Sequence, residues 1–386
     1  MTSRLALIGA AGLLLGTAIT PAKAADLGTG CCADLEERVA ELEATTARKG
    51  NRVVSLQIYG QVNKALLIFD DGVDSDAFVV DNDQSGSRIG FKGAATFKQG
   101  WSAGFNMELD IQDSATDKVS QGDDEGDDNE IKIRQNYVYI ESDRLGRISL
   151  GQQSTATDDI AEIVLGNSLS DASDIFSSFR VRLSNGGDSG FAVGQFVDDL
   201  DGPREDVVRY DSPSIYGFIL SASWGDDDFA DIALRFQREW NSIRLAAGIG
   251  YQWDDTNARE ILSGSVSVMH VPTGLYAAFA AGNVEFDADI SDGSFYYAQA
   301  GIEKKFLGYG STTIYGEYGQ YDGVTEDAAL NGLEADRWGF GVVQKFNSAA
   351  MEVYANIRYY SFDDSGVQAS DFEDFSTVLV GSRIKF

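Results

Sequence analysis

The sequence is poor in the residue types on which most enzyme sites are built. Its 386 residues include one histidine, two adjacent cysteines and four prolines. The histidine, His270, stands at the end of a predicted strand, and no Cys/His spacing typical of a metal site occurs. No glycine-rich phosphate loop follows a strand either. We therefore predict that the protein is not an enzyme and has no cofactor.

Basic residues are also scarce. The chain has 30 lysines and arginines against 61 aspartates and glutamates, a formal net charge of −31. Nucleic acid needs a basic surface for its phosphates, so this composition argues against nucleic acid as a partner. The 42 glycines, 16 tyrosines and 22 phenylalanines suit a secreted all-β protein with many turns.

Long apolar runs are confined to the N-terminus. Arg4 precedes the apolar segment 5–19, and Ala22-Lys23-Ala24 forms an A-x-A cleavage site, which together are typical of a secretory signal peptide. The alternative is an uncleaved membrane helix, but the run is shorter than the ~20 residues that such a helix needs. We expect removal of residues 1–24, which leaves 28 basic and 61 acidic residues and a charge of −33.

A short helix is predicted over residues 25–51. A 3-4-3-4 spacing of about two heptads, typical of a coiled-coil seam, is formed by Cys32, Leu35, Val39, Leu42 and Thr46. Two heptads cannot hold a coiled coil alone, so the spacing predicts a stalk on chains that are joined elsewhere, as in a trimer. A monomeric amphipathic helix or a linker is the alternative. In an oxidising compartment, a disulfide through Cys31 or Cys32 could join neighbouring chains.

From residue 52 to 386, apolar and polar residues alternate in short runs. A period of two over about ten residues is typical of a strand whose faces have different environments. In the first run the alternation shifts at Asn63-Lys64-Ala65, which predicts a β-bulge. Sixteen runs are predicted, near 54–69, 86–97, 101–112, 131–141, 147–155, 206–214, 217–225, 231–240, 243–253, 260–271, 274–284, 294–306, 311–321, 337–346, 350–361 and 374–386.

The connections between these runs alternate in kind. One set is short and nearly uncharged, such as Asn241-Ser242, and the other is longer and acidic, such as 70–83 and 112–130. Tight turns at one end and long loops at the other are typical of a membrane β-barrel, so we predict a 16-stranded antiparallel transmembrane barrel. Because hard cations prefer oxygen ligands, the acidic outer loops are predicted to bind Ca²⁺ or Mg²⁺ that bridge to lipopolysaccharide. A solvated acidic rim is the alternative.

One connection, residues 156–206, is much longer than the others. A connection of this length is usually functional. It carries many apolar residues, together with several carboxylates and three arginines. Because that apolar surface must pack against something, we expect the loop to fold inside the barrel and narrow it.

Four parts of the barrel sequence resemble the 16-stranded, trimeric Gram-negative porins, most nearly those of alphaproteobacteria. They are the motif SRIGFKG at 87–93, the stretch from Gln135 to Gln153, the motif VRYDSP at 208–213, and the terminal Phe386. Residues 31–50 resemble the coiled-coil stalk that some trimeric porins carry. Phe386 resembles the signal read by the outer-membrane insertion machinery. This resemblance implies an outer-membrane homotrimer in contact with lipopolysaccharide and outer-membrane lipid.

The resemblance also implies passive diffusion of small hydrophilic solutes through a water-filled pore, which the third extracellular loop narrows. A basic wall is expected to face acidic groups on that loop. Arg88 stands in the family's motif, and Lys92, Arg134 and Arg209 have alternation that points them into the lumen. The expected residues of the constriction loop are Asp158, Asp159, Glu162, Asp171, Asp174, Arg180 and Arg182. Many relatives have a basic residue where this chain has Gln152, which makes the expected wall less positive.

Three functions remain open at this point. Because acids outnumber bases around the mouth, a general porin with a mild cation preference is favoured. A channel that prefers one substrate, a sugar or an organic acid, would need aromatic residues in the lumen or a dense basic ladder, and Tyr354 and Tyr360 have lumen parity. A structural outer-membrane anchor, whose stalk contacts the cell wall, is the third alternative.

Overall fold

The computed structural model describes residues 53–126, 131–225, 229–254, 258–286, 291–324, 333–363 and 371–386. The predicted signal peptide, the stalk helix and both cysteines lie outside these residues. In the described part, no helix is long and apolar enough to cross a bilayer. The helical segments found there are short 3₁₀ turns at Asp83–Ser85, Val193–Gln195 and Asn347–Ala349.

Strands make up most of the described chain. They are β1 Gln57–Asp70, β2 Ser75–Asp81, β3 Arg88–Lys98, β4 Trp101–Asp110, β5 Lys132–Ser142, β6 Gly146–Ser154, β7 Arg180–Arg182, β8 Asp188–Ala192, β9 Arg204–Asp211, β10 Phe218–Gly225, β11 Phe229–Trp240, β12 Ile243–Asp254, β13 Arg259–His270, β14 Leu275–Phe286, β15 Gly293–Lys304, β16 Thr312–Asp322, β17 Glu334–Phe346, β18 Met351–Asp363 and β19 Phe375–Lys385.

These strands form a closed antiparallel barrel with the predicted sixteen positions. Consecutive strands pair from β3 to β6 and from β9 to β19, and β6 pairs with β9 across the long loop. Strand β19 pairs with β1 from Gln61↔Lys385 to Asp70↔Ser376, which closes the sheet. Strand β2 pairs with residues 64–70 of β1, and β3 pairs with residues 57–61 of the same strand. The two therefore count as one of the sixteen strand positions around the barrel. Strands β7 and β8 form a separate hairpin inside the long loop.

Alternate side chains face outward and form an apolar belt around the barrel. Exposed members of this belt include Leu220, Ile232, Ile249, Val266 and Phe340. An outward apolar band with polar residues inside is the arrangement that a lipid bilayer requires of a spanning barrel. In the closed sheet, the backbone N–H and C=O groups of each strand bond those of its neighbours, and the apolar outer side chains face the lipid.

The β-bulge predicted at Asn63-Lys64-Ala65 is wrong. Strand β1 pairs with β19 without a register shift. Leu67 and Phe69 face inward although they are apolar, because the long loop covers them, and the ring of Phe69 lies 4.9 Å from that of Phe179. The half of β1 nearest the long loops is thus apolar on both faces. In the sequence this made the apolar positions appear to shift from one face to the other.

A second correction concerns the segment that was predicted as the acidic loop 70–83. Its second half forms β2, and residues 82–87 then interrupt the strand before β3 begins. The Gln61 side chain holds this interruption by donating to the carbonyls of Ser85 and Gly86, at 2.6 and 2.8 Å. The interruption brings Gln84 to the loop inside the barrel, where it donates to Asp171 at 2.7 Å.

The C-terminal residue completes the short-turn end of the barrel. The backbone N–H and carbonyl of Phe386 bond the carbonyl and N–H of Gly60, both at 3.0 Å. The phenyl ring of Phe386 is exposed. The end of the chain is therefore fixed against β1, and its side chain remains accessible.

Candidate functional site

The long loop leaves the barrel wall and returns to it at the same point. Ser154, the last residue of β6, pairs with Arg204, the first residue of β9. The Asp201 carboxylate fastens this neck by accepting the N–H groups of three successive residues, 159, 160 and 161, at 2.5 to 3.1 Å. Everything between β6 and β9 therefore projects from one stem.

The first part of the loop packs on strands β11 to β13. Asp231 accepts both the N–H and the hydroxyl of Thr157 at 2.7 Å, and the Ser265 hydroxyl donates to the carbonyl of Ile160 at 2.6 Å. Two inward glycines of β12 leave room for this close approach. A Cβ at Gly248 would lie 2.5 Å from Ile160, and one at Gly250 would lie 2.6 Å from Thr157.

The middle of the loop is held by two arginines that sequence reasoning missed. Arg337 of β17 donates to the carbonyls of Asp171 and Ser173, at 2.6 and 2.5 Å. Arg358 of β18 donates to the Ser170 hydroxyl at 2.7 Å and to Glu317 of β16 at 2.9 Å. Both arginines are fully buried. Their inward parity on β17 and β18 was visible in the sequence, but only the loop's path shows what they bind.

The last part of the loop rises to the barrel mouth. Phe179 packs against Phe375 with ring centres 5.1 Å apart, and the hairpin β7–β8 follows it. On that hairpin, Arg182 donates to Asp71 at 2.8 Å and Arg180 donates to the carbonyl of Gly190 at 3.3 Å. The structure therefore places Arg180 and Arg182 on a hairpin at the mouth, where Arg182 pairs in register with Asp188, and among the described residues their hydrogen bonds are not to the acids predicted for the constriction.

Two of the four predicted wall cations lie together on β3 and β5. The guanidinium groups of Arg88 and Arg134 both approach Glu108, at 3.5 and 2.9 Å. Their side chains keep 19% and 23% of their surface exposed, in contrast to the buried arginines behind the loop. Water therefore reaches the barrel interior on this side. Lys92 lies four residues farther toward the short turns, with its ammonium 5.0 Å from the centre of the Tyr59 ring.

Arg209 lies elsewhere, and a different arginine stands beside the loop acids. Arg209 is 3% exposed, pairs with Asp211 at 2.8 Å and donates to the carbonyls of Ser154 and Thr155. Arg204, which the sequence analysis did not assign to the wall, has its Nε 3.4 Å from the Asp158 carboxylate. Arg209 thus supports the stem of the loop, while Arg204 lies beside its acidic edge.

The predicted loop acids contact different parts of the barrel, but Asp171 lies near enough to Glu162 to act on its charge. Asp174 accepts the Tyr360 hydroxyl at 3.1 Å behind the loop, and Asp171 accepts Gln84 at the loop's far contact. Asp158, Asp159 and Glu162 lie near the neck. Burial raises the pKa of the Glu162 carboxyl well above its usual range, and the neighbouring carboxylates of the loop raise it further.

One set of loop carboxylates has the spacing of a cation site. Oxygens of Asp158, Asp159 and Asp201 lie within 4.8 Å of one another. Carboxylate oxygens are the ligands that Ca²⁺ and Mg²⁺ prefer. Both Asp201 oxygens already accept backbone N–H groups, and Asp158 faces Arg204. Intramolecular partners therefore already engage much of this set.

The two aromatic candidates for solute contact are buried. Tyr354 is 3% exposed and donates to Asn63 at 2.7 Å, while Tyr360 lies fully beneath the loop. Neither ring is accessible from the lumen. The accessible side chains on this part of the inner wall are charged rather than aromatic: the arginines of β3 and β5 on one side and the acidic edge of the loop on the other.

Comparison with known proteins agrees with this architecture. The sequence profile of the family described as Gram-negative porin matches residues 12–365. A search of curated proteins found no match.

Solved structures share the barrel. An anion-selective porin from Comamonas acidovorans superposes with a TM-score of 0.58 at 15% identity, covering 86% of this chain and 100% of that one. OmpF of Salmonella typhi, in complex with daunomycin, gives 0.57 at 13% identity, with coverage of 86% and 98%. A trimer form of OmpT from Vibrio cholerae gives 0.54 at 15% identity, with coverage of 86% and 100%. At these identities the similarity shows the fold alone.

The profile match spans most of the sequence, and the structure supplies the closed barrel of sixteen positions with a long loop folded inside it. The chain therefore belongs to the Gram-negative porin family and is an outer-membrane β-barrel protein.

Proposed function

We propose that this porin is a general diffusion channel for small hydrophilic solutes and ions, with a mild preference for cations. The observation that carries this proposal is the pair of opposed charged surfaces inside the barrel. Arg88 and Arg134 line one side, and the loop edge lies on the other, with the half-buried Asp159 and Glu162 and with the buried Asp158 beside Arg204.

Opposed charges across a narrow opening create a transverse field. Such a field orients dipolar solutes and disfavours apolar ones, since these cannot take part in the charged hydration of the opening. Carboxylates outnumber guanidinium groups there by a small margin. Five carboxylates, Glu108, Asp158, Asp159, Glu162 and Asp201, stand against four guanidinium groups, Arg88, Arg134, Arg204 and Arg235. This excess favours cations, and the preference weakens as salt screens the charges.

A channel that prefers one substrate is the less supported alternative. It rested on Tyr354 and Tyr360, and both rings are buried, Tyr354 beside Asn63 of β1 and Tyr360 beneath the loop. The anchor alternative rests on residues 31–50, outside the described part of the chain. We further propose a homotrimer, to which the trimer form of a porin of the same fold lends support. Contact with lipopolysaccharide and recognition of Phe386 by the insertion machinery belong to the same proposal.

The test is the reversal potential of single channels between unequal KCl solutions. Purified protein should conduct without a ligand and should show a potential of the cation-selective sign at about 0.1 M salt, which declines toward zero at about 1 M. Arg88→Ala should widen the opening and move the potential further toward cations. Lys304→Ala, on the outer face of β15, is the matched loss of one positive charge and should leave the potential unchanged. Equal permeability to K⁺ and Cl⁻ at low salt, unmoved by Arg88→Ala, would refute the proposed constriction.

A further inference from the structure

The two ends of the barrel differ in the sign of their accessible charges. At the long-loop end, the exposed charged residues are mainly acidic. They include Asp74 and Asp371 in the loops, Asp76 on the inner face of β2, and Asp70, Asp322 and Glu334 on the outer face of the strand ends at the rim. The mouth of the channel is therefore strongly negative.

The short-turn end has the opposite balance. Strand alternation points six cationic side chains into the lumen there: Lys92, Arg147, Arg244, Lys345, Arg383 and Lys385. The inward carboxylates beside them are fewer: Glu141, Glu239, Glu303 and Glu352. Arg209 and Asp211 pair with each other. The lumen at this end therefore carries a net positive charge.

The exposure of the paired groups strengthens this difference. The Lys385 side chain is 50% exposed, whereas Glu352, 4.0 Å away, is 9% exposed and also pairs with Arg383. The ammonium of Lys345 lies 3.7 Å from Glu303 and is the more exposed of the two. Solutes in this half of the lumen therefore meet ammonium groups more readily than carboxylates.

We propose that the channel is a fixed-charge diode, with an acidic outer half and a basic periplasmic half joined at the constriction. This inference rests on the proposed channel function and adds that the ion current depends on the polarity of the voltage. The acidic half accumulates cations, and the basic half accumulates anions. When the long-loop side is positive, both kinds of ion are driven from the half that enriches them toward the junction. Ions then accumulate there and the current rises. The opposite voltage draws both away and depletes the junction.

The proposal also predicts that anionic and cationic solutes concentrate on opposite sides of the constriction. A small anionic solute, such as a carboxylate, is concentrated on the periplasmic side of the constriction, and a cationic solute on the outer side. The effect requires charges to act over the width of the lumen. The screening length is ~10 Å at 0.1 M ionic strength and ~3 Å at 1 M, so the asymmetry belongs to low salt.

The experiment is a current–voltage curve of the purified protein in symmetric KCl. Orientation is set by Asp188→Cys on the exposed hairpin β7–β8, with Cys31 and Cys32 replaced by serine. After biotinylation, streptavidin alters the current only from the long-loop side. At about 0.1 M KCl the current should be roughly two-fold larger with that side positive, and the curve should become symmetric at about 1 M.

Matched variants locate the cause. Lys345→Gln with Lys385→Gln removes two inward cations at the short-turn end and should reduce the ratio of currents. Lys304→Gln with Arg238→Gln removes two cations from the outer face at the same end and should leave the ratio unchanged. If the first pair fails to assemble, Lys345→Gln alone gives a smaller reduction.

The outcomes separate this inference from the proposed function. A symmetric current at low salt, or a larger current at the opposite polarity, overturns the diode while the channel stands. A correctly folded protein that carries no current overturns the channel, and the diode with it. Equal effects of the inner and outer pairs also overturn the diode, because the lumen charges would then not be its source.

Discussion

The ion pair behind the loop gives the sharpest test of how the constriction is held. Arg358 and Glu317 are both fully buried, and Arg358 also donates to Ser170 of the loop. Arg358→Leu leaves the Glu317 carboxylate buried beside the Tyr297 and Ser170 hydroxyls without its directly bonded counter-charge, and Arg337 is then the nearby cation that remains. Removing one partner of a buried pair costs about 3–5 kcal/mol.

That free-energy cost destabilises the conformation in which the loop is packed against the wall, relative to one in which it is released. If residues 168–174 leave the wall, lumen water reaches Glu317 and the penalty is relieved. At about 1.4 kcal/mol per factor of ten, a penalty of 3 kcal/mol raises the undocked fraction by roughly 150-fold. We therefore expect an intact barrel with a mobile loop and larger current noise.

The assay is thiol modification at a site that docking buries. Ala172 is fully buried, so Ala172→Cys, with Cys31 and Cys32 replaced by serine, reports undocking by its rate of modification. The rate should rise by one to three orders of magnitude with Arg358→Leu. Arg358→Leu combined with Glu317→Leu removes both charges and should bring the rate back toward the reference, since replacing a whole buried pair is often neutral. Equal rates in all three proteins would refute this account of the anchor.

Three further predictions follow from other parts of the molecule. Because burial and the neighbouring carboxylates raise the pKa of Glu162, this carboxyl takes up its proton at a higher pH than an ordinary glutamate does, so cation preference should begin to decline above the usual carboxyl range as pH falls. Glu162→Gln should remove part of that decline. A pH response identical in the variant would show that other groups control it. The acidic outer loops should bind divalent cations that bridge to lipopolysaccharide, so a chelator should lower both the melting temperature of the trimer and its retained lipopolysaccharide. No change in either would count against bridging. Non-reducing gels of denatured protein should show crosslinked chains through Cys31 or Cys32, and monomer alone would exclude the disulfide without excluding the trimer.

The fold was predictable because a spanning barrel imposes a rule on every strand. Each strand must place apolar side chains toward lipid and polar side chains toward the lumen. The alternation of a strand and the length of a loop can therefore be recognised from a short stretch of sequence. The exception was the half of β1 nearest the long loops, where the inward side chains Leu67 and Phe69 are also apolar. Their environment is set by Phe179, which lies more than a hundred residues away.

The constriction was predictable only in part. Arg88 and the loop acids were proposed for the constriction from the resemblance, and the structure places Arg88 with Arg134 on one accessible surface. Arg209 has the same alternation as Arg88, yet it holds the stem of the loop, while Arg204 at the start of the same strand faces Asp158.

Alternation fixes the face of the wall on which a side chain lies, and this much the sequence determined. It does not fix whether that face meets water or the loop, because the loop covers the inner wall at strands such as β16 to β18 and leaves it accessible near β3 and β5. Arg358 and Arg88 are alike in residue type and in inward parity, but one is buried beneath Ser170 and the other remains accessible. Only the path of the loop, which long-range packing decides, separates an anchor from a pore residue.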